Sequence, residues 1–383
     1  MNKTMLNTFY QIPSENLLME FTDLASKTPN LLNLSIGDPD ITTPKEIIDS
    51  AFKDTYNGHT HYTASDGSDD FLTSVINFYK KQYDLSFEKN QVRATVGALQ
   101  GMYLTLQVLL NEGDEVIIHE PYFSPYKTQV IEAGGTPIII PTYEKDDFQI
   151  DPIILEKAIT TKTKAIIINS PNNPTGAVFS KGTLTKIAEL AITHNLFILS
   201  DEVYEAFTFG EPFTPMASLA PDNTITFSSF SKTFAMTGWR IGYMIAPKYI
   251  NDACHLLSED VTYSAPTPSQ RAGIYALDHY QDVSKEVVHL FKERLEYIEK
   301  RIQDIPFLSV HSLKGSIYAF INISRTGLDS VAFSKKLLTE KQILVIPGQA
   351  FGESGSNFIR LAATQDIPVL EEAFDRLETL TFE

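Results

Sequence analysis

The stretch KAIIINSPNNPTGAVFSKGTLTKIAELAITHNLFILSDEVY, residues 164–204, reads as strand, turn, helix and strand. KAIIIN (164–169) and LFILS (196–200) are short apolar runs, and the segment between them carries a helical pattern over about 181–194. Strands this apolar are buried on both faces, as in a sheet covered by helices on each side. The same alternation continues outward. Upstream lie VRATV (92–96), EVIIH (115–119) and TPIII (136–140); downstream lie TITFSS (224–229) and RIGYMIA (240–246). Between the first two runs, Leu99, Met102, Tyr103, Leu106, Leu109 and Leu110 follow the i, i+3, i+4, i+7 spacing of a helix. The expected fold is therefore α/β, a doubly wound and mostly parallel sheet formed by a large domain over residues 45–279.

Beyond it the pattern changes. A long charged helical stretch, SKEVVHLFKERLEYIEKRI (284–302), precedes IYAFINI (317–323), a helix near 329–340, ILVIP (343–347) and FIRLA (358–362). This predicts a smaller α+β domain over 280–383, to which an N-terminal arm, residues 1–44, adds a part. No compositional break marks either boundary, and there is no repeat or low-complexity linker.

The 383 residues carry 31 basic against 48 acidic side chains, a formal net charge of −17, with 43% apolar residues. Such acidity repels nucleic acid and anionic membrane surfaces, so neither is expected as a partner. Cys254 is the only cysteine, which rules out an internal disulfide or a thiolate-held metal cluster. The opening residues lack an apolar core of the kind a leader needs, and runs such as AIII (165–168) are too short to span a bilayer. A soluble, cytoplasmic protein is the expectation.

Several nucleotide and hydrolase motifs are missing. No GxxxxGK[ST] occurs, VGALQG (96–101) has glycines only at 97 and 101, and neither HExxH nor GxSxG is present. His59 and His61 form an HxH pair in the polar loop GHTHYT, but no third His or Cys lies near in sequence, and no metal is expected.

In an open α/β sheet, ligands bind beyond the carboxyl ends of the strands. The loops there hold Gly97-Ala98-Leu99-Gln100, SPNNPTG (170–176), Asp201-Glu202-Val203-Tyr204 and Ser228-Ser229-Phe230-Ser231-Lys232. Free N–H groups at the helix start after Gly97, the Ser229 hydroxyl and the Arg240 guanidinium can surround a phosphate. Lys232, partly desolvated between two apolar strands, is a plausible imine-forming lysine. Asp201 closes a buried strand, where a carboxylate needs a cationic partner. Phosphate clamp, imine-forming amine and carboxylate poised for a heteroaromatic cation together match the needs of pyridoxal phosphate. Asn173 and Tyr204 could hydrogen-bond the phenolic oxygen, and Phe123, in EPYFSPY (120–126), could stack on the ring. Each residue taken alone has a plainer reading: Asp201 as a helix cap, NNPTG as turn chemistry, Lys232 and Arg240 as surface cations, and the tyrosines as core.

SPNNPTG, SDEVYE (200–205) and SFSKTFAMTGWRIGY (229–243) resemble the signatures of the class I/II aminotransferases of fold type I, of the aspartate aminotransferase kind. LSIGDPD (34–40), YTASDG (62–67) and VIPGQAFGESGSNFIRLA (345–362) extend the resemblance over almost the whole chain. It implies that Lys232 is the Schiff-base lysine, Asp201 the pyridinium partner, and Asn173 and Tyr204 the phenolate contacts. Ser229, Arg240 and the backbone of Ala98 and Leu99 would bind the phosphate. Arg360 in FIRLA would grip the substrate α-carboxylate, with Gly37 as a backbone contact nearby. Tyr62 would reach the phosphate of a partner subunit, implying a homodimer with shared sites. Two departures stand out: Phe123 replaces the more frequent Tyr or Trp, and Ala98-Leu99 replace hydroxyl residues that often assist the phosphate.

The implied activity is exchange of an amino group between an L-amino acid and a 2-oxo acid. The same scaffold supports carbon–sulfur β-lyases and cyclases of the aminocyclopropane- or capreomycidine-forming type. A non-catalytic pyridoxal-phosphate-binding regulator is a further alternative, disfavoured by the acidic charge and by the lack of residues for a DNA-binding arm. Which amino acid and oxo acid react is not legible in the sequence.

Overall fold

The computed structural model describes residues 5, 7–11 and 17–382. The remaining parts of the expected N-terminal arm, residues 1–4, 6 and 12–16, lie outside the described residues, and residues 1–4 and 6 belong to the segment read for a leader. Among the described residues thirteen strands form three sheets. In chain order they are β1 (Leu32–Asn33), β2 (Val92–Thr95), β3 (Glu115–Glu120), β4 (Thr136–Pro141), β5 (Thr163–Asn169), β6 (Phe197–Asp201), β7 (Thr224–Ser229), β8 (Gly242–Ile245), β9 (Ser309–Val310), β10 (Tyr318–Asn322), β11 (Ile343–Leu344), β12 (Ile346–Pro347) and β13 (Phe358–Ala362).

The seven-stranded sheet has the order β2-β8-β7-β6-β5-β3-β4. Only β8 runs antiparallel to its neighbours β2 and β7. Side chains alternate along each strand, so Ala165 and Ile167 face one apolar layer while Ile166 and Ile168 face another. This double burial is why these runs are apolar throughout. The helix Lys181–His194, which connects β5 to β6, has local start and stop signals. Ser180 accepts a hydrogen bond from the Thr183 N–H, and Asn195 ends the helix at φ 53°.

The register aligns the carboxyl ends of the strands. Asn169 pairs with Asp201, Asp201 with Phe227, Ser229 with Gly242, and Gly242 with Thr95. Every loop singled out in the sequence therefore leaves the same edge of the sheet.

The second body of structure contains a four-stranded antiparallel sheet, β12-β13-β10-β9. The N-terminal segment joins it: β1 pairs in parallel with β11, and Leu34 belongs to an apolar cluster dominated by residues 287–380. Helix Tyr280–Gln303 links the two bodies, because Tyr280 and Val283 pack against the core around Phe71 and Phe230, whereas Phe291, Leu295 and Ile298 lie in the C-terminal cluster.

Two strand expectations are revised. RIGYMIA begins its strand at Gly242, because a 3-10 turn over Thr237–Trp239 precedes it and Arg240 adopts φ 52°. ILVIP divides at Val345, with Ile343–Leu344 pairing with β1 and Ile346–Pro347 with β13. Among the described residues no helix is long and apolar enough to cross a membrane.

Candidate functional site

The convergent strand ends open into a cavity of about 520 Å³. Asp201, the last residue of β6, is buried in its wall. Its Oδ2 accepts a hydrogen bond from the Tyr126 hydroxyl at 2.5 Å and its Oδ1 one from the Val203 N–H at 3.3 Å. Burial pushes the carboxyl up to about 6, while those two hydrogen bonds pull the other way. The side chain thus sits where a cation would restore its charge. Asn169, at the end of β5, donates to the Asp201 carbonyl oxygen at 3.0 Å and accepts from the Asn173 N–H at 2.8 Å. One asparagine therefore ties the NNPTG turn to the neighbouring strand.

Across the cavity, β2 ends in a turn through Gly97, at φ 73°, and the helix Ala98–Leu109 begins. Its first N–H groups precede any intrahelical acceptor and are suited to an anion. Backbone and guanidinium approach closely here: a Cβ on Gly97 would stand 2.9 Å from Arg240 Nη2, and one on Gly242 2.9 Å from the Ala98 N. Ser229 and Ser231 hydroxyls lie 2.9 Å apart on the same wall. Arg240 donates to the Thr237 carbonyl at 2.9 Å and is otherwise exposed. Lys232 directs its ammonium to the Gly37 carbonyl oxygen.

Arg360 occupies β13, directly opposite Phe320 on β10 and Ile346 on β12. It is buried, and its guanidinium donates from Nη1 to Asn173 Oδ1 at 3.0 Å and from Nη2 to the Ser35 carbonyl at 2.5 Å, while Nε has no partner. Two of its five N–H groups are engaged with neutral acceptors, which leaves donors for a carboxylate. Burial lowers its pKa from the ordinary value, an effect opposed by the nearby Tyr318 and Tyr204.

Pyridoxal phosphate fits this donor set. The phosphate has the Gly97 helix start, Ser229 and Arg240; the aldehyde has Lys232; the ring nitrogen has a buried carboxylate that lacks a cation; and Phe123 lines the wall where a ring would lie. Gly37, Ala98, Leu99, Phe123, Asn173, Asp201, Tyr204, Ser229, Lys232, Arg240 and Arg360, all named from the sequence, line this one cavity. Tyr62 does not. It is 84% exposed, with its ring edge-on to Tyr263 at 5.0 Å. His59 and His61 are exposed, and among the described residues no group of three His, Cys, Asp or Glu side chains could hold a metal.

Sequence reasoning missed Tyr126, Asn169, Ser35, Phe351 and Tyr318. Tyr126 lies within the quoted EPYFSPY, but only the packing of helix Pro125–Glu132 brings its hydroxyl to Asp201. Tyr318 is placed by the strand register. In an antiparallel pair, residues two apart on one strand share a face, so Tyr318 lies diagonal to Arg360 across β10 and β13.

Comparison with known proteins gives consistent findings. A model described as aminotransferase class I and II matches residues 29–377. The chain is 39% identical over 364 residues to an aspartate aminotransferase of Pyrococcus horikoshii, covering 94% of this chain and 93% of that one. It is 38% identical to aromatic-amino-acid aminotransferase 2 of Thermococcus litoralis, covering 96% and 95%. A solved alanine aminotransferase from Pyrococcus furiosus superposes with a TM-score of 0.92 at 30% identity, over 97% of this chain and 98% of that one.

Proposed function

The chain belongs to the class I and II aminotransferases and is an enzyme of that kind, and from this premise we propose that it holds pyridoxal phosphate in the cavity at the strand ends and transfers the amino group of an L-amino acid to a 2-oxo acid. The observation that carries the reading is that Lys232 and a buried, cation-deficient Asp201 face the same cavity. Bound there, the cofactor supplies an aldehyde for an amine and a protonated ring that absorbs the electron pair released at the substrate Cα.

The chain's residues have separable tasks. Asp201 keeps the proton on the ring nitrogen, and Tyr126 orients its carboxylate. The helix start at Ala98 and Leu99, with Ser229 and Arg240, anchors the phosphate. Asn173 and Tyr204 would hydrogen-bond the phenolic oxygen, and Phe123 would lie against the ring. Lys232, whose ammonium is held by the Gly37 carbonyl, would be the residue that holds the cofactor through its aldehyde. With its amine free and neutral, Lys232 would be the base placed to take the proton from the substrate Cα. Arg360 would grip the α-carboxylate beside Gly37 and so fix the orientation of the substrate Cα–H bond.

The cavity wall also bears on substrate choice. Apart from Lys232, Arg240 and Arg360, no cation lines it among the described residues, and Asp38 adds a negative charge. Ile36, 56% exposed, and Leu99, 40% exposed, face the same space. Exposed large apolar side chains at a cavity mouth favour an uncharged substrate side chain over a second carboxylate. Although some relatives are aspartate aminotransferases, amino acids with apolar or aromatic side chains are the proposed donors here.

The domain division 1–44, 45–279 and 280–383 is kept as part of the proposal, supported by the separate apolar clusters. So is a homodimer in which exposed Tyr62 reaches the partner's phosphate, and a cytoplasmic location, which the lone buried thiol of Cys254 suits.

The deciding experiment mixes the cofactor-loaded enzyme with single amino acids and no oxo acid, and follows the cofactor spectrum and the products. Conversion to the aminated cofactor, most rapid with apolar or aromatic amino acids, is expected. Release of pyruvate and ammonia with an unchanged cofactor would instead assign a β-lyase.

A further inference from the structure

Tyr318 stands where three of the proposed site residues meet, yet neither the residue signatures nor the sequence reading gives it a role. It lies on β10 and is 3% exposed. The Arg360 guanidinium lies over its ring, 4.4 Å from the centroid, and a second ring, Phe351, is 4.7 Å away. Its hydroxyl accepts a hydrogen bond from the Tyr204 hydroxyl at 3.3 Å. The same oxygen crowds the substrate side of the cavity, since a Cβ on Gly37 would come within 1.9 Å of it.

We propose that Tyr318 is a positioning residue with two separable parts: its ring orients Arg360 for the substrate carboxylate, and its hydroxyl orients Tyr204 for the phenolic oxygen of the cofactor. The assignment rests on the function proposed above. Arg360 is buried and its hydrogen bonds go to neutral acceptors, so aromatic faces are what compensate its charge until a carboxylate arrives. A ring against the guanidinium face leaves the N–H groups in the guanidinium plane free, which is the geometry that bidentate carboxylate binding needs. The hydroxyl works differently. Once Tyr204 turns its proton toward the cofactor, its oxygen can accept from Tyr318, and such a chain strengthens the outer donor. Burial opposes ionisation of Tyr318, while the charges of Lys232, before it takes up an aldehyde, and of Arg360, with the Tyr204 hydrogen bond, hold the hydroxyl below its ordinary pKa. Close packing of that oxygen against Gly37 also explains why position 37 lacks a side chain.

The test compares Tyr318→Phe and Tyr318→Leu in the cofactor-loaded enzyme. Two quantities are read: KM and kcat for the amino acid, and the pH midpoint of the cofactor's visible absorption without substrate. Tyr318→Phe keeps the ring, so KM should stay within about twofold, while the pH midpoint rises because the phenolic oxygen loses support. Tyr318→Leu should shift the midpoint in the same direction and also raise KM about tenfold or more, with a smaller effect on kcat. Phe351→Leu should raise KM and leave the midpoint in place. Should Tyr318→Leu fail to fold, the Phe variant and Phe351→Leu carry the test. An unchanged KM in Tyr318→Leu or Phe351→Leu, a Phe variant with as high a KM as the Leu variant, or an unmoved midpoint in Tyr318→Phe would overturn the assignment. Wild-type enzyme that converts no amino acid would instead overturn the transamination on which it rests.

Discussion

Asp201 is a carboxylate that the fold buries with hydrogen-bond donors but without a cation. A group in that position is stable only if something positive joins it or a proton does, and the upward pKa shift expresses that choice. Asp201→Ala should abolish most turnover, since removal of one member of a buried charged pair costs about 3–5 kcal/mol; steady-state kinetics showing only a twofold decline would misplace the electron sink. Lys232→Ala should still take up pyridoxal phosphate, held by the phosphate contacts, but lose nearly all activity and the borohydride-trappable link to the protein. Glu202, next to Asp201, is buried and accepts from Ser200 at 2.9 Å and the Met216 N–H at 3.0 Å, while its Oε2 has no partner. Burial raises it to about 8, above its unfolded value of 4.5, so the fold favours the protonated acid. The stability it contributes is whole below about pH 4.5 and is lost as pH rises through 8. Glu202→Gln should therefore raise the melting temperature relative to wild type by roughly 2 °C more at pH 8.5 than at pH 5.5, as scanning calorimetry can measure; equal differences at both pH values would refute the protonated-acid reading. At this scale most of the proposed site residues were legible because they lie at the ends of apolar strands or in the loops that follow them. Tyr126 and Tyr318 were not, because hydroxyls on a helix and on the other sheet carry no local mark of what they will touch.

At the scale of elements, the turn between β2 and its helix shows how local conformation prepares a binding site. Gly97 takes φ 73°, a conformation that side-chain-bearing residues rarely adopt, and its Cα faces the Arg240 guanidinium. Gly97→Ala should weaken cofactor binding about tenfold or more, since it combines backbone strain of about 1 kcal/mol or more with displacement of Arg240. Fluorescence titration of the cofactor-free protein provides the measurement, and an unchanged Kd would show that this turn does not cradle the phosphate. The long periodic elements were readable from sequence to within a few residues, as with the helix Lys181–His194 and the strands TITFSS and FIRLA. ILVIP was not divisible by inspection, because an apolar pentapeptide looks the same whether it has one partner strand or two. Likewise, Arg240 reads as the first residue of a strand, and only the turn before it places its guanidinium at Gly97.

At the scale of the whole molecule, the segment 35–40 joins the two bodies of structure. Three successive carbonyls are held from different elements: Ser35 by Arg360, Ile36 by Thr364 Oγ1 at 2.8 Å, and Gly37 by Lys232. Asp40 closes the segment with a two-point ion pair to Arg294, at 2.8 and 2.9 Å, on the helix Tyr280–Gln303. Arg294 is buried, so Asp40→Ala leaves its charge uncompensated and should destabilise the protein by about 3 kcal/mol. Denaturant unfolding can test this, and a loss below 1 kcal/mol would show that the segment is held mainly by the carbonyl contacts. The sequence by itself determined the α/β architecture and the family, and it named the residues proposed to anchor the site, because hydrophobic periodicity and short loop signatures are written within a few neighbouring positions. Only the tertiary structure decided where Tyr318, Tyr126 and Arg294 lie, which strand pairs with which, and which side chains line the cavity. Those outcomes depend on contacts between residues distant in sequence, such as Tyr126 with Asp201 and Asp40 with Arg294, and packing chooses such contacts only after the elements have formed.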